Sequence, residues 1–359
     1  MVYPMHGEWI AAVLREEFVG PLTCNERKAA LMRFVLLALA IVAFGPLALG
    51  TVARAETVKI GIIKTTASGP IFVADAKGYF AAEGITVDLV YFDSGQPISV
   101  AVASGDIDFG SVGFTGGFYS LASQGVLKIV TAGVSEISGR HNQAFVASNK
   151  AWDAGFRSLK DMPGHSFALT QIGSPIHYAL GLVAQKYGFD LAKVRLMPLQ
   201  AIPATVAATT SGQADATGLT GSLSTTILAK GDAKLLAYVG DEVPFQLSSV
   251  FASTKTADQR GDMVRHVLSA LRKGARDYHD GVNGDKPTAQ TPEILAILAK
   301  ATGQTPEDAA KGLPYMDPEG RLNVADVLRQ YQWYRAQGMV KGPDDPTFID
   351  KRYVVDTAR

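Results

Sequence analysis

Two segments of this chain repeat one pattern, and that repeat constrains the fold more than any other feature. ASGDIDFGSVG (103–113) and TSGQADATGLT (210–220) each contain Ser-Gly, two further residues, an aspartate and then small residues. Glycine readily takes the left-handed conformation that ends a helix, so each segment predicts a helix end followed by a short strand. Open α/β sheets bind ligands in loops beyond the carboxyl ends of parallel strands. The repeat therefore predicts two α/β lobes that face each other across a cleft.

The two repeated aspartates, Asp108 and Asp215, are predicted to be structural. Aspartate at the entry to a strand commonly accepts hydrogen bonds from nearby backbone N–H groups, and this is the role expected of both. A direct contact with a ligand is the less favoured alternative.

Strands and helices alternate on both sides of the repeat. The β-branched run at 57–63 predicts a buried strand, Pro70 a helix start and 85–92 a second strand. The alternation restarts after residue 164, and SSVFAST (248–254) predicts a strand that returns to the first lobe. The predicted division is 1–55 as an upstream extension with a signal peptide, 56–150 as the first part of lobe 1, 151–243 as lobe 2, and 244–359 as the return to lobe 1 with the C-terminal helices.

The N-terminal segment has the features of an export signal. A basic stretch at 27–33 precedes an apolar run from Phe34 to Leu49, and Ala-Arg-Ala at 53–55 offers a cleavage site between small residues. Gly45-Pro46 interrupts the run, whereas a membrane span needs about 20 unbroken apolar residues. A cleaved signal peptide is therefore favoured over an anchor, and we expect a periplasmic protein.

Composition excludes several classes of function. Lys+Arg 34 balances Asp+Glu 34, so no overall field attracts the chain to nucleic acid or anionic lipid. The one cysteine, Cys24, lies before the expected cleavage site, which leaves no thiol for a disulfide or a metal. No two histidines lie three or four residues apart, and neither a phosphate-binding loop nor a G-x-S-x-G motif occurs. We expect no metal site, no cofactor and no catalytic residue.

Three junctions between a loop and a helix are the best candidates for ligand contacts: 65–70, 94–97 and 171–175. The first turn of a helix has unpaired N–H groups and the positive end of the helix dipole, so it can bind an anion without a charged side chain. Ser174 can cap the helix that Pro175 starts, and plain N-capping is the alternative reading for it. The candidate ligand-binding residues are Thr65, Thr66, Ser68, Ser94, Gln96, Thr115, Gly116, Arg140, Gly173, Ser174, His177 and Thr220.

Several of these candidates have two possible roles. Arg140 falls near the expected crossing between lobes, where it would hold a carboxylate or sulfonate with two parallel hydrogen bonds or remain a solvated loop charge. His177 lies in the first helical turn, with its ring either towards the cleft or on the surface. Thr115 and Gly116 would offer backbone amides to a ligand or form a tight turn that needs glycine.

Longer segments resemble one known family. VKIGIIKTTASGPIFVADAKGYFAAEGITVDLVYFDSGQP (58–97), SLKDMPGHSFALTQIGSPIHYAL (158–180) and RAQGMVKGPDDPTFIDKRYV (335–354), together with the repeated segments, resemble the periplasmic solute-binding proteins of ABC importers for sulfonates, taurine, nitrate and thiamine-precursor pyrimidines. The resemblance covers the chain from Glu56 onward, and no single segment identifies a ligand.

This resemblance implies an α/β, two-lobed periplasmic-binding-protein fold of type II, with two doubly wound lobes joined by a hinge. It implies a monomer that is not an enzyme, closes on a small organic anion and delivers it to an ABC permease with its cytoplasmic ATPase. The alternatives are binding or synthesis of a thiamine-precursor pyrimidine, or a ligand-sensing lobe for a separate membrane partner. The synthases carry a cysteine-rich signature and use iron, and the chain after residue 55 has no cysteine.

Overall fold

The computed structural model describes residues 56–284 and 286–358. Its strands are β1 (Glu56–Ile63), β2 (Ile85–Phe92), β3 (Phe109–Gly113), β4 (Leu127–Ala132), β5 (Ser135–Glu136), β6 (Gln143–Ser148), β7 (Ser166–Leu169), β8 (Arg195–Pro198), β9 (Ala216–Thr220), β10 (Ala233–Tyr238), β11 (Phe245–Gln246) and β12 (Ser248–Ser253). Its α-helices are Gly69–Ala76, Tyr79–Ala82, Gly95–Ser104, Gly116–Ser123, Asn149–Asp153, Pro175–Tyr187, Ile202–Thr210, Gly221–Lys230, Val239–Glu242, Thr254–Gln259, Gly261–Tyr278, Thr291–Thr302, Pro306–Ala309 and Val324–Ala336. A π-helical turn follows at His279–Asn283.

Two five-stranded sheets form the centres of two lobes. The first has the strand order β2-β1-β3-β12-β4 and the second β10-β6-β9-β7-β8. In each sheet three neighbouring strands are parallel, and two further strands are antiparallel to their neighbours. The fold is therefore the predicted two-lobed α/β arrangement, with sheets that are mixed rather than wholly parallel.

Two crossings connect the lobes. The chain leaves the first sheet after β4, passes through β5 and enters the second sheet at β6. It returns from β10 of the second sheet through β11 to β12 of the first. β5 and β11 pair antiparallel with each other in a separate two-stranded ribbon. We call this ribbon the hinge ribbon, because each of these two crossings contributes one of its strands.

One strand belongs to the second lobe, although the division predicted from the sequence assigns it to the first. The expected boundary at residue 150 assigns Gln143–Ser148 to lobe 1, but this strand (β6) pairs with β9 and β10 in the second sheet. Local sequence shows a strand there but not its partners, since the pairing joins residues far apart in the chain. β12 lies in the first sheet, as predicted for the returning strand. The expected signal peptide and Cys24 lie outside the described residues.

The repeated aspartates have equivalent positions in the two lobes. The Asp108 carboxylate accepts the backbone N–H of Lys59 on β1 at 2.8 Å, and the Asp215 carboxylate accepts that of Ser166 on β7, also at 2.8 Å. In both lobes the aspartate ties the entrance of one parallel strand to its neighbour. The structural role predicted for both residues is confirmed, and it explains why the chain contains the pattern twice.

Removing one of these carboxylates is expected to lower stability. Burial works against the charged form of Asp215, but hydrogen bonds from Ser166 and the neighbouring His165 hold the pKa of its carboxyl below its usual value. Because Asp215→Ala leaves the N–H and hydroxyl of Ser166 without their acceptor, its free energy of unfolding should fall by about 1–3 kcal/mol. Urea unfolding measures this, with the exposed Asp153→Ala as control. If Asp215→Ala and Asp153→Ala lower the free energy of unfolding equally, the structural role of Asp215 is contradicted.

Within residues 56–284 and 286–358, no helix combines the length and apolar character that a membrane crossing requires. The same part of the chain holds no group of three or more His, Cys, Asp or Glu side chains arranged to bind a metal ion.

Candidate functional site

A cavity of about 140 Å³ lies between the two lobes. The first lobe contributes the loops that follow β1, β2 and β3, and the second contributes those that follow β7, β8 and β9. These are the carboxyl ends of parallel strands, where open α/β sheets bind ligands. Its polar lining residues are Thr65, Ser68, Asp93, Ser94, Ser111, Thr115, Asn142, Gln143, Thr170, Gln171, Ser174, Thr205, Thr220 and Ser248. The cavity therefore occupies the place that the repeat predicts.

Helix starts surround the cavity. The residues that precede the first helical residue (N-caps) of five helices line it: Ser68, Ser94, Thr115, Ser174 and Thr220. Ile202, the first residue of a sixth helix, lines it too. All six helices have their positive dipole ends directed at one small volume. This convergence favours negative charge in the cavity.

Most of the serine and threonine side chains at these starts do not cap their own helices. Of the five N-cap hydroxyls, only that of Thr115 accepts a backbone N–H of its helix. At four helices that start away from the cavity, the N-cap side chain does accept such a bond: Ser148, Ser253, Thr305 and Asn323. A side-chain cap stabilises a helix by about 1 kcal/mol. Four of the five helices at the cavity forgo it, so the hydroxyls of Ser94, Ser174 and Thr220 are not used to cap their own helices.

Ser174 shows this most clearly. The residue is 3% exposed, and its hydroxyl oxygen has no hydrogen-bond partner within the described protein. Gln143, at the start of β6, is 4% exposed, and its side-chain oxygen is also unpartnered. Both residues line the cavity. A buried polar group without a partner costs about 1–3 kcal/mol, so these two residues bring unsatisfied hydrogen-bonding capacity to the wall of the cavity.

The rest of the lining is apolar. Ile63, Ala67, Val112, Leu169, Pro175, Ile176, Ile202 and Leu247 form part of the wall. Among the described residues that line the cavity, Asp93 is the only one with a charged side chain, and it also lines the space at the mouth of the cleft. Within residues 56–284 and 286–358, no lysine, arginine or histidine contributes to this lining. Any anion held here would be bound by N–H and hydroxyl donors.

The predicted site residues fall into two groups. Thr65, Ser68, Ser94, Thr115, Ser174 and Thr220 line the cavity. Thr66 lies at the cleft mouth, where its hydroxyl is close to Gly221 of the other lobe. Gln96 lies outside the lining, and its side-chain oxygen is 3.4 Å from the side-chain nitrogen of Gln171 across the cleft.

Gly116 and Gly173 join the lobes instead of offering amides to a ligand. The N–H of Gly116 donates to the carbonyl of Gly173 at 2.9 Å. Gly173 has φ of +77°, in the region that favours glycine, and its own N–H donates to Nδ1 of His177 at 3.1 Å. The expectation that Gly116 presents a free amide is therefore wrong in this closed arrangement.

His177 and Arg140 do not line the cavity. His177 is 3% exposed with its ring edge-on to Trp333, and burial lowers its pKa to about 4, so the ring is neutral at pH 7. The guanidinium of Arg140 donates to the carbonyl of Asn283. The predictions that Arg140 binds the ligand and that His177 faces the cleft are therefore wrong. Contacts with residues distant in sequence hold these two side chains away from the cavity.

Sequence reasoning missed several polar lining residues, among them Asn142 and Gln143. Both follow Arg140 within the segment expected to cross between lobes. The sequence therefore indicated the correct segment, but Arg140 was chosen as its ligand-binding residue in place of Asn142 and Gln143. Thr205 faces the cavity from the helix after β8, and Ser248 starts β12. Neither Thr205 nor Ser248 is an N-cap residue, so the search for helix starts did not find them. They reach the cavity only when the two lobes have folded.

Similarity to known proteins agrees with this architecture. Residues 65–280 match the family described as NMT1/THI5 like. The chain is 28% identical over 336 residues to the taurine-binding periplasmic protein of Escherichia coli (strain K12), covering 89% of this chain and 97% of that protein. The alkanesulfonate-binding protein SsuA from Xanthomonas axonopodis pv. citri bound to MOPS superposes with a TM-score of 0.63 at 20% identity, covering 80% of this chain and 94% of that one.

One similar structure is an enzyme. The desulfurization enzyme DSZB superposes with a TM-score of 0.59 at 13% identity, over 84% of this chain and 97% of that one. At such identities the superpositions establish the fold alone, and the fold is shared by binding proteins and by at least one enzyme. The family match spans more than half of the sequence, and this chain therefore belongs to the NMT1/THI5-like family.

Proposed function

We propose that this protein is an extracytoplasmic solute-binding protein that delivers a small organic anion, of the sulfonate or carboxylate type, to an ABC import permease. The observation that carries the proposal is the set of helix starts around one cavity, with the unpartnered hydroxyl of Ser174 among them. Helix N-termini bind oxyanions through N–H donors and the helix dipole. The names of the taurine-binding and alkanesulfonate-binding relatives support this ligand class and a periplasmic location.

The apolar wall narrows the class of ligand further. Side chains such as Val112, Leu169 and Ile176 are suited to a carbon chain or ring, which an inorganic oxyanion lacks. The ligand that fits both parts of the lining has an oxyanion group and a short apolar body. Binding without chemical conversion is supported by the lining, because the part of the chain that the structure describes contributes one acidic side chain, Asp93, and no basic one.

A panel of ligands tests this function. Thermal unfolding would be measured with ethanesulfonate, taurine, butanesulfonate, benzoate, nitrate and a neutral aminopyrimidine. A ligand at 100 times its Kd adds about 2.7 kcal/mol to the stability of the folded state, so a true ligand raises the Tm clearly. We expect the largest shift from an organic sulfonate or carboxylate. A shift with the pyrimidine alone would favour the pyrimidine alternative, and conversion of any ligand to product would contradict the binding-protein proposal.

A further inference from the structure

Glu136 is a buried acid in the hinge ribbon. It belongs to β5, where it pairs with Phe245 of β11, and it is 1% exposed. One carboxyl oxygen accepts a hydrogen bond from the side-chain amide of Asn142, and the other has no partner within the described protein. Burying a charged group without a counter-charge is costly, so a carboxyl in this position favours its neutral form.

Charged neighbours do not offset this cost. On the segment that contains Glu136, Arg140 donates to the carbonyl of Asn283, and His141 pairs with Asp241. In the described chain, no lysine, arginine or histidine lies within 4.0 Å of the Glu136 carboxylate. Both side chains are therefore engaged elsewhere and leave the Glu136 carboxyl without a counter-charge.

The other described elements that contact the ribbon do not place a cation next to Glu136 either. Ser135 pairs with Tyr315, whose hydroxyl pKa is raised by burial. On β11, the backbone N–H of Gln246 donates to the carboxylate of Asp326 from the C-terminal helix. Burial outweighs the opposing effect of Asn142 and of the nearby backbone N–H of Gln143, and raises the pKa of Glu136 to about 7.

Asn142 connects this acid to the ligand cavity. It is 1% exposed, it is one of the residues that line the cavity, and its carbonyl accepts the N–H of Gly221, the first residue of a helix that starts at the cavity. Glu136 therefore holds the side chain of a residue that lines the cavity and, through the same segment, supports one of the converging helix starts.

We propose that Glu136 is a proton-linked hinge residue, which is neutral when the lobes are closed and ionised when they open and water reaches the ribbon. The proposal rests on the proposed function for the opening and closing of the lobes. It makes Glu136 a positioning residue that acts through Asn142 and the hinge, without contact to the ligand.

The direction of the pH effect follows from linkage. The closed state holds the proton more tightly than an open state in which the carboxyl regains its ordinary pKa near 4.5, so closure takes up a proton between these two values. Closure is then favoured at low pH, and the advantage is lost as pH rises through about 7. The ratio of closed to open molecules should fall about tenfold between pH 6 and pH 8 and change little above pH 8.

The test measures this ratio directly and needs no ligand. Spin labels at Lys64→Cys and Pro203→Cys, on opposite sides of the cleft mouth, report the distance between the lobes by pulsed electron paramagnetic resonance. The full chain carries Cys24→Ser so that only these sites are labelled. We expect the closed fraction to fall from pH 6 to pH 8, and Glu136→Gln, which imitates the neutral acid, to remain equally closed at both pH values.

Glu83→Gln is the matched control. Glu83 is paired with Lys273, and hydrogen bonds from Lys273, Ser269 and His266 lower its pKa to about 2, so it is charged throughout this range and its replacement should keep the normal response. His177 is common to all variants, so the difference between the wild type and Glu136→Gln isolates the acid. An equal response in both, or no response in the wild type, overturns the proposal. The spin-label result does not depend on the thermal-unfolding panel. The proposed role of Glu136 can therefore be rejected while the proposed ligand binding stands.

Discussion

Replacing Ser174 by alanine is expected to weaken ligand binding by about tenfold to a hundredfold without lowering the stability of the ligand-free protein. The Ser174 hydroxyl is buried, makes no cap bond to its own helix and has no partner in the described protein. A hydrogen bond from this hydroxyl to a charged ligand contributes about 1.5–3 kcal/mol, which sets the size of the loss. The measurement is the Kd, by calorimetry, for the panel compound that gives the largest thermal shift.

Ser148→Ala is the matched control in the same lobe. The Ser148 hydroxyl accepts the N–H of Ala151 and caps a helix outside the cavity lining. Its loss should lower the free energy of unfolding by about 1 kcal/mol and leave the Kd unchanged. The two serines are thus expected to separate binding from stability. Unchanged affinity in Ser174→Ala would remove the main support for the site.

Replacing Gly274 by valine is expected to destabilise the protein by about 3 kcal/mol or more. Gly274 lies where the helix Gly261–Tyr278 crosses Gly69–Ala76, and a Cβ there would lie 2.4 Å from the carbonyl oxygen of Pro70. That oxygen belongs to the backbone and cannot rotate away, so the two helices must separate. Because Ser68 starts the helix against which Gly274 packs, the separation should also displace one of the helix starts at the cavity.

Urea unfolding at constant pH measures the effect of Gly274→Val. Arg265→Val in the same helix is the control, since Arg265 is exposed and its guanidinium pairs with Asp262, three residues earlier in that helix. We expect the control to change the free energy of unfolding by about 0.5 kcal/mol or less. Similar stability of the two variants would show that the helices can separate without cost, contrary to the close packing described above.

Features set by nearby residues were predictable from the sequence. Pro175 and Ser174 mark a helix start, and both lie where expected because capping and the fixed φ of proline act within one helical turn. Asp108 and Asp215 were assigned a structural role from their place after a Ser-Gly helix end, and the two lobes confirm it. Six of the candidate ligand-binding residues line the cavity because helix starts after parallel strands lie at one edge of a sheet.

Other positions depended on contacts between distant segments. Ring packing against Trp333 draws His177 into the interior, and the carbonyl of Asn283 engages Arg140, so two attractive candidates lie outside the lining. Asn142 and Gln143 enter the cavity because β6 pairs within the second sheet. No local pattern encodes these contacts, since each requires two segments that meet only after folding.

The amino-acid sequence by itself determined the two α/β lobes, the ends of their helices and the edge of each sheet at which a ligand would bind. These properties follow from backbone conformation and from hydrogen bonds between residues close in the chain. Tertiary structure decided which N-cap hydroxyls remain unused, as at Ser174, and which acid is enclosed in the hinge ribbon, Glu136. Burial and the loss of water are properties of the assembled lobes, because they depend on everything that surrounds an atom in space.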